Sequence, residues 1–159
     1  MRLVGCLSLF LCVALLGLTH KKKLEQNSKQ WLEMKELLIL CMEELQINQE
    51  NSEVILQKIH HTGFHFQLLE KAFSCEGTLQ QRLIEAAESM SDKKLQEVAR
   101  RFALRFGMSS LSLQLEHLQS LLFVCTEEYT RCHEKTQKDG LLSLKLGILV
   151  GSAIFVILL

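Results

Sequence analysis

Trp31, Met34, Leu38, Cys41, Leu45, Asn48, Ser52, Ile55, Ile59, Thr62, Phe66, Leu69 and Phe73 follow one another at alternating steps of three and four residues, and all but three of them are apolar. Side chains that recur at that step share one face of an α-helix, whereas a strand would need a step of two. No proline occurs in the 159 residues to cut the pattern. The chain is rich in Leu, Glu, Gln and Lys, straight-chain residues that lose little rotamer freedom in a helix. Helices are the expected content throughout.

A second series runs Leu104, Met108, Leu111, Leu115, Leu118, Leu122, Cys125, Tyr129, Cys132. Between the two series "SCEGT" at Ser74–Thr78 reads as a turn, with shorter helical patterns over Leu79–Met90 and Leu95–Phe106. Ser91 is the expected N-cap of the latter, and Gly107 its stop. Asn48 and Ser52 weaken the first series, and Gly63 is placed to kink it. Both stripes are wider than a bare coiled-coil seam, because Leu37, Leu40, Leu56, Leu68, Leu113 and Leu121 add to them. The expected fold is all-α: an antiparallel helical bundle or long hairpin with two short helices at its tip.

The two ends are more apolar than this middle. Leu3–Leu18 is an uninterrupted apolar run after Arg2, with Gly17 and Thr19 as small residues before His20. That is the plan of a secretory signal peptide over residues 1–19. The alternative is an uncleaved anchor held by Lys21, Lys22 and Lys23 through the positive-inside bias. Residues 141–159 would make a helix of roughly 28 Å, enough for a bilayer core of about 30 Å, so a C-terminal transmembrane helix is expected there. Ser143, Gly147 and Gly151 recur every four residues and form a candidate packing face of the GxxxG kind. Lys145 either snorkels to the head groups or contacts an acidic residue of a partner helix. Residues 20–140 are left as a helical ectodomain.

Six cysteines are present, and Cys6 and Cys12 lie in the first apolar run. Cys41, Cys75, Cys125 and Cys132 remain, an even number that suits pairing in an oxidising compartment. Cys125 and Cys132 sit seven residues apart on one helix, about 10 Å, too far to bridge each other. An antiparallel layout makes Cys41 the expected partner of one of them, and Cys75 the spare. The other reading is that all four are buried thiols packing as small hydrophobes.

Catalytic chemistry has little to work with. His61 and His65 have a spacing that can clamp a metal on a helix, with His60 and His133 as further donors. Gly63 lies between them and no HExxH pattern is present, so ordinary histidines are the simpler reading. No phosphate-binding glycine loop, CxxC or nucleophile elbow appears. Arg100, Arg101 and Arg105 fall on one short helix, where three arginines are a basic interaction face or, as is usual, a solvated one. The formal net charge is zero, which speaks against nucleic acid as a partner.

The expectation is therefore a non-enzymatic membrane protein without cofactor or metal. Its partners would be the lipid bilayer and a protein, either a different one or a second copy through the helical faces. Its place would be the secretory pathway or the cell surface. The alternative is a cytosol-facing hairpin anchored at both ends in the endoplasmic reticulum membrane, acting as a tether.

Overall fold

The computed structural model describes residues 2–48, 51–63 and 66–158. Six α-helices and no strand occur among them: α1 (Arg2–Asn48), α2 (Ser52–His61), α3 (Gln67–Ser74), α4 (Leu79–Glu88), α5 (Lys93–Arg105) and α6 (Leu111–Leu158). The all-helical expectation holds. The first heptad series is not one helix, however. It is divided into α1, α2 and α3, and the divisions fall where its polar members and Gly63 stand. Asn51 caps α2, its side-chain oxygen accepting from the Glu53 amide at 3.3 Å. Gly63 takes φ +82, a left-handed conformation that ends α2 rather than bending it.

The chain forms two compact units. One is Gln30–Glu128; the other combines Met1–Lys29 with Tyr129–Leu159. In the first unit the core is laid down by the start of the first heptad series. Trp31, Met34, Leu37, Leu38 and Cys41 are all fully buried. They are joined by Ile55, Leu56, Phe66, Leu69, Leu83, Leu95, Phe102, Leu118 and Cys125. The α4 helix packs on both α3 and α5. Its start is fixed by a capping box, in which the Thr78 hydroxyl accepts from the Gln81 amide while the Gln81 side chain accepts from the Thr78 amide. The N-cap of α5 is Asp92, not the Ser91 expected from sequence: the Asp92 carboxylate accepts from the Lys94 amide at 2.9 Å. Its second oxygen, Oδ2, accepts from the Trp31 indole N–H at 3.1 Å, so one side chain both starts α5 and holds it to α1. A further side-chain tie is the Gln30 amide donating to Gln67 Oε1 at 3.0 Å.

The turn from α5 to α6 depends on Gly107. Its φ is +84, and an added Cβ would meet the Ser52 hydroxyl and come within 2.9 Å of Ser52 Cβ. Ser52 is itself buried. Gly107→Ala therefore meets two obstacles, a disfavoured backbone region and a rigid neighbour, and is expected to destabilise this unit by ~1–3 kcal/mol. Gly63→Ala, which has open space around it, should cost about 1 kcal/mol from φ alone. Equal thermal unfolding midpoints for the two variants would contradict this account.

The second unit brings the apolar ends of the chain together. Thr136 Oγ1 donates to the Leu24 carbonyl at 3.2 Å, and Asn27 Nδ2 lies 3.8 Å from Cys132 Sγ. As the number rises along α1 it falls along α6, so the two segments run antiparallel. The expected transmembrane helix over 141–159 is corrected here, because among the described residues no helix is long and apolar enough to cross a membrane. The stretch is the last part of the 48-residue α6, which also carries Lys135, Lys138, Asp139 and Lys145. Residues 2–19 are helical and continuous with the rest of α1 as far as Asn48.

Candidate functional site

The second heptad series extends beyond the helix that carries it. Leu104 and Met108 head that series, yet they precede α6 and are exposed, at 49% and 70%. Within α6 the stripe holds: Leu118 and Cys125 of the series, and Leu121 beside it, are buried. Leu113 (56% exposed) and Phe123 (66%) stand on the outer side of the same helix. Leu104, Met108 and Leu113 meet as a patch of large apolar side chains in water, and Phe123 stands about 15 Å further along α6.

Within this patch lies an open cleft of about 530 Å³, lined among others by Leu104, Arg105, Met108, Leu113, Glu116 and His117. Two interactions hold its walls. The His117 ring Nε2 is 3.2 Å from the Arg101 carbonyl, joining α6 to the last turn of α5. The Gln114 side chain accepts from the Gly107 amide at 3.3 Å and donates to the Ser109 carbonyl at 2.6 Å, which pins the turn. The rim is basic. The α5 helix carries Lys93, Lys94, Arg100, Arg101 and Arg105 against one acid, Glu97. Lys94 pairs with Glu128 at 2.7 Å and Arg101 with Glu97 at 2.9 Å. Arg100 and Arg105 make no ion pair among the described residues and are both exposed.

The residues singled out from sequence are placed as follows. Cys41, Cys75, Cys125 and Cys132 are free thiols. Cys41 and Cys125 are buried, and Cys75 and Cys132 are half-buried. Burial pushes the Cys41 thiol far up, with the nearby Glu44 carboxylate adding to the effect. The Cys125 thiol is raised by burial to about 12. Both behave as the small hydrophobes of the second reading, and no bridge joins Cys41 to Cys125 or Cys132. Lys145 is exposed on α6. Ser143, Gly147 and Gly151 also belong to α6, but their surroundings lie outside the described side chains. Of the histidines, His60 packs its ring on Phe73 with centroids 5.0 Å apart, and His65 lies outside the described residues.

Ion pairs elsewhere in this unit brace the helix ends. Lys58 Nζ is 2.6 Å from Glu44, linking α2 to α1, and Asn48 donates to the same carboxylate. Those two hydrogen bonds hold the Glu44 carboxyl below the usual carboxylate range. Arg82, on α4, donates to Glu53 on α2, and its guanidinium lies 5.8 Å over the Phe73 ring.

These features define an all-α protein whose most developed surface is an exposed apolar cleft with a basic rim. Its sequence matches the family model of stage III sporulation protein AB over residues 2–159, and the chain belongs to that family. Neither curated proteins nor solved structures gave a match. The family corrects the expected location. It is a family of bacterial sporulation, and a spore-forming bacterium has no endoplasmic reticulum and no eukaryotic secretory pathway to hold the protein.

Proposed function

We propose that this protein serves bacterial sporulation as a non-enzymatic helical subunit, binding another protein chain through the α5–α6 face of the Gln30–Glu128 unit. The observation that carries the reading is the patch itself. Leu104, Met108 and Leu113, 49–70% exposed, line one cleft, and Phe123, 66% exposed, stands further along α6. Contiguous exposed apolar surface rimmed by charge is how protein contact sites present themselves. Apolar anchors at the centre of such a site are each worth ~2 kcal/mol or more when truncated.

The test is genetic and structural together. Replacing Leu113 and Phe123 by Gln at the native locus should lower the count of heat-resistant spores by tenfold or more, as expected for the loss of two anchoring contacts. The purified double variant should keep its helix content and unfolding midpoint, since both positions face water. A normal spore count with normal protein levels would sink the reading.

A further inference from the structure

We propose that the occupant of the cleft is a second copy of this chain, presenting the acidic outer stripe of α1. This rests on the protein-binding reading above and names the partner. The argument is charge complementarity between two faces of one unit. The α1 segment from Gln30 to Asn48 carries Glu33, Glu36, Glu43 and Glu44 against one base, Lys35. The α5 helix has the reverse balance, five bases against one acid. A chain with zero net charge has thus separated its charge onto two helices of the same unit.

The α1 stripe has the shape the cleft requires. Glu36, Leu40, Glu43 and Ile47 step by four, three and four, so they fall within about 60° of arc and about 16 Å of axis. Glu36 and Glu43 are exposed and make no ion pair among the described residues. Ile47 is 75% exposed, the largest value among the exposed apolar side chains. This is an acidic amphipathic stripe with an apolar residue standing in water at its end. Opposite it, the cleft offers exposed Leu104, Met108 and Leu113 for Ile47 and Leu40. Arg100 and Arg105, also exposed, answer Glu36 and Glu43. Glu116, on α6, is the one acid in the lining and Arg105 its one arginine; Arg100 stands one turn before Leu104 on α5. A helix laid in a groove by its alternating anchors is an established recognition mode.

The contact joins two different faces, so it is heterologous. Two copies close into a two-fold pair if both contacts form at once, and add head to tail if they do not.

The experiment uses full-length chains with two different affinity tags, co-capture as the readout and sedimentation for the mass. Reversing the cleft charges (Arg100→Glu with Arg105→Glu) should weaken self-association by an order of magnitude. Reversing the stripe (Glu36→Lys with Glu43→Lys) should do the same. Mixing the two variants should restore it, because every altered pair is then again of opposite sign. Raised salt should weaken the wild-type contact. All four positions are exposed, so unchanged circular dichroism and unfolding midpoints are expected in each variant. Association that ignores both reversals, or variants that stay apart when mixed, would overturn the proposal. If that happens while the Leu113 and Phe123 variant still blocks sporulation, the protein-binding reading stands and the partner is a different chain.

Discussion

Trp31→Ala should bring the Gln30–Glu128 unit close to unfolding at room temperature. The indole is fully buried, and cutting such a ring to a methyl group in a core costs ~3–5 kcal/mol. A unit of about 100 residues holds only ~5–15 kcal/mol in all, so the loss is a large fraction of the total. At ~4–8 °C per kcal/mol the unfolding midpoint should fall by tens of degrees. The polar end of the ring adds a second, separable contribution. Trp31→Phe keeps most of the buried area but gives up the N–H bond to Asp92, and should cost ~1–2 kcal/mol. Asp92→Ala removes the α5 cap and leaves a buried indole N–H without its acceptor, for ~2–3 kcal/mol. The two changes share one hydrogen bond, so the double variant should be less destabilised than the sum of the singles. Additive losses in thermal or urea unfolding would mean that the bond contributes nothing.

That tie between α1 and α5 shows what sequence could and could not disclose. Trp31 heads the first heptad series and was placed in the core by spacing alone. The three-four step also marked Met34, Leu38, Cys41, Ile55, Ile59 and Leu69, all buried. Local chemistry was harder to read. Ser91 and Asp92 are both good caps, and the choice of Asp92 is made by an indole 61 residues away in sequence. By spacing alone Asn48 and Ser52 read as polar members of one continuous stripe. They are the ends of two helices, and Ser52 is buried against Gly107 rather than facing a partner helix. The cleft was hidden for a related reason. Leu104 and Met108 continue the α6 spacing upstream of α6 itself, so pattern assigns them to the core, although Leu104 stands on the outer side of α5 and Met108 in the turn after it, both exposed. Periodicity cannot tell an apolar residue that packs inside its own chain from one held out for another. The ends show the same limit: their apolar runs match a bilayer in length, yet among the described residues no helix is long and apolar enough to cross one.

The buried thiols lead to the second large effect, a loss of stability in alkali. Cys41 and Cys125 hold their protons in the folded chain well above the ordinary value of 9.0, Cys125 to about 12 and Cys41 further still. In the unfolded chain both would titrate near the ordinary value. Below about pH 9 the proton is bound in both states, and the contribution to stability is fully present. Above it the unfolded chain releases protons that the folded chain keeps, so each thiol removes ~1.4 kcal/mol of stability per pH unit until its folded value is reached. With two such thiols, urea midpoints measured at pH 8.5, 9.5 and 10.5 should fall by an amount that grows to a few kcal/mol. Replacing both by Ala should lower stability at pH 8.5 but flatten the fall, leaving the slope of the other groups. The same burial sets reactivity, because only the thiolate is the nucleophile and neither buried sulfur meets solvent. In the native, unreduced protein an alkylating reagent should label Cys75 and Cys132, which are half-buried, and leave Cys41 and Cys125 untouched until the chain unfolds. Peptide mapping after a short pulse of reagent separates the four positions. Labelling of Cys41 or Cys125 as fast as Cys75, or an alkaline slope unchanged in the double variant, would show that these sulfurs are not sealed in the core.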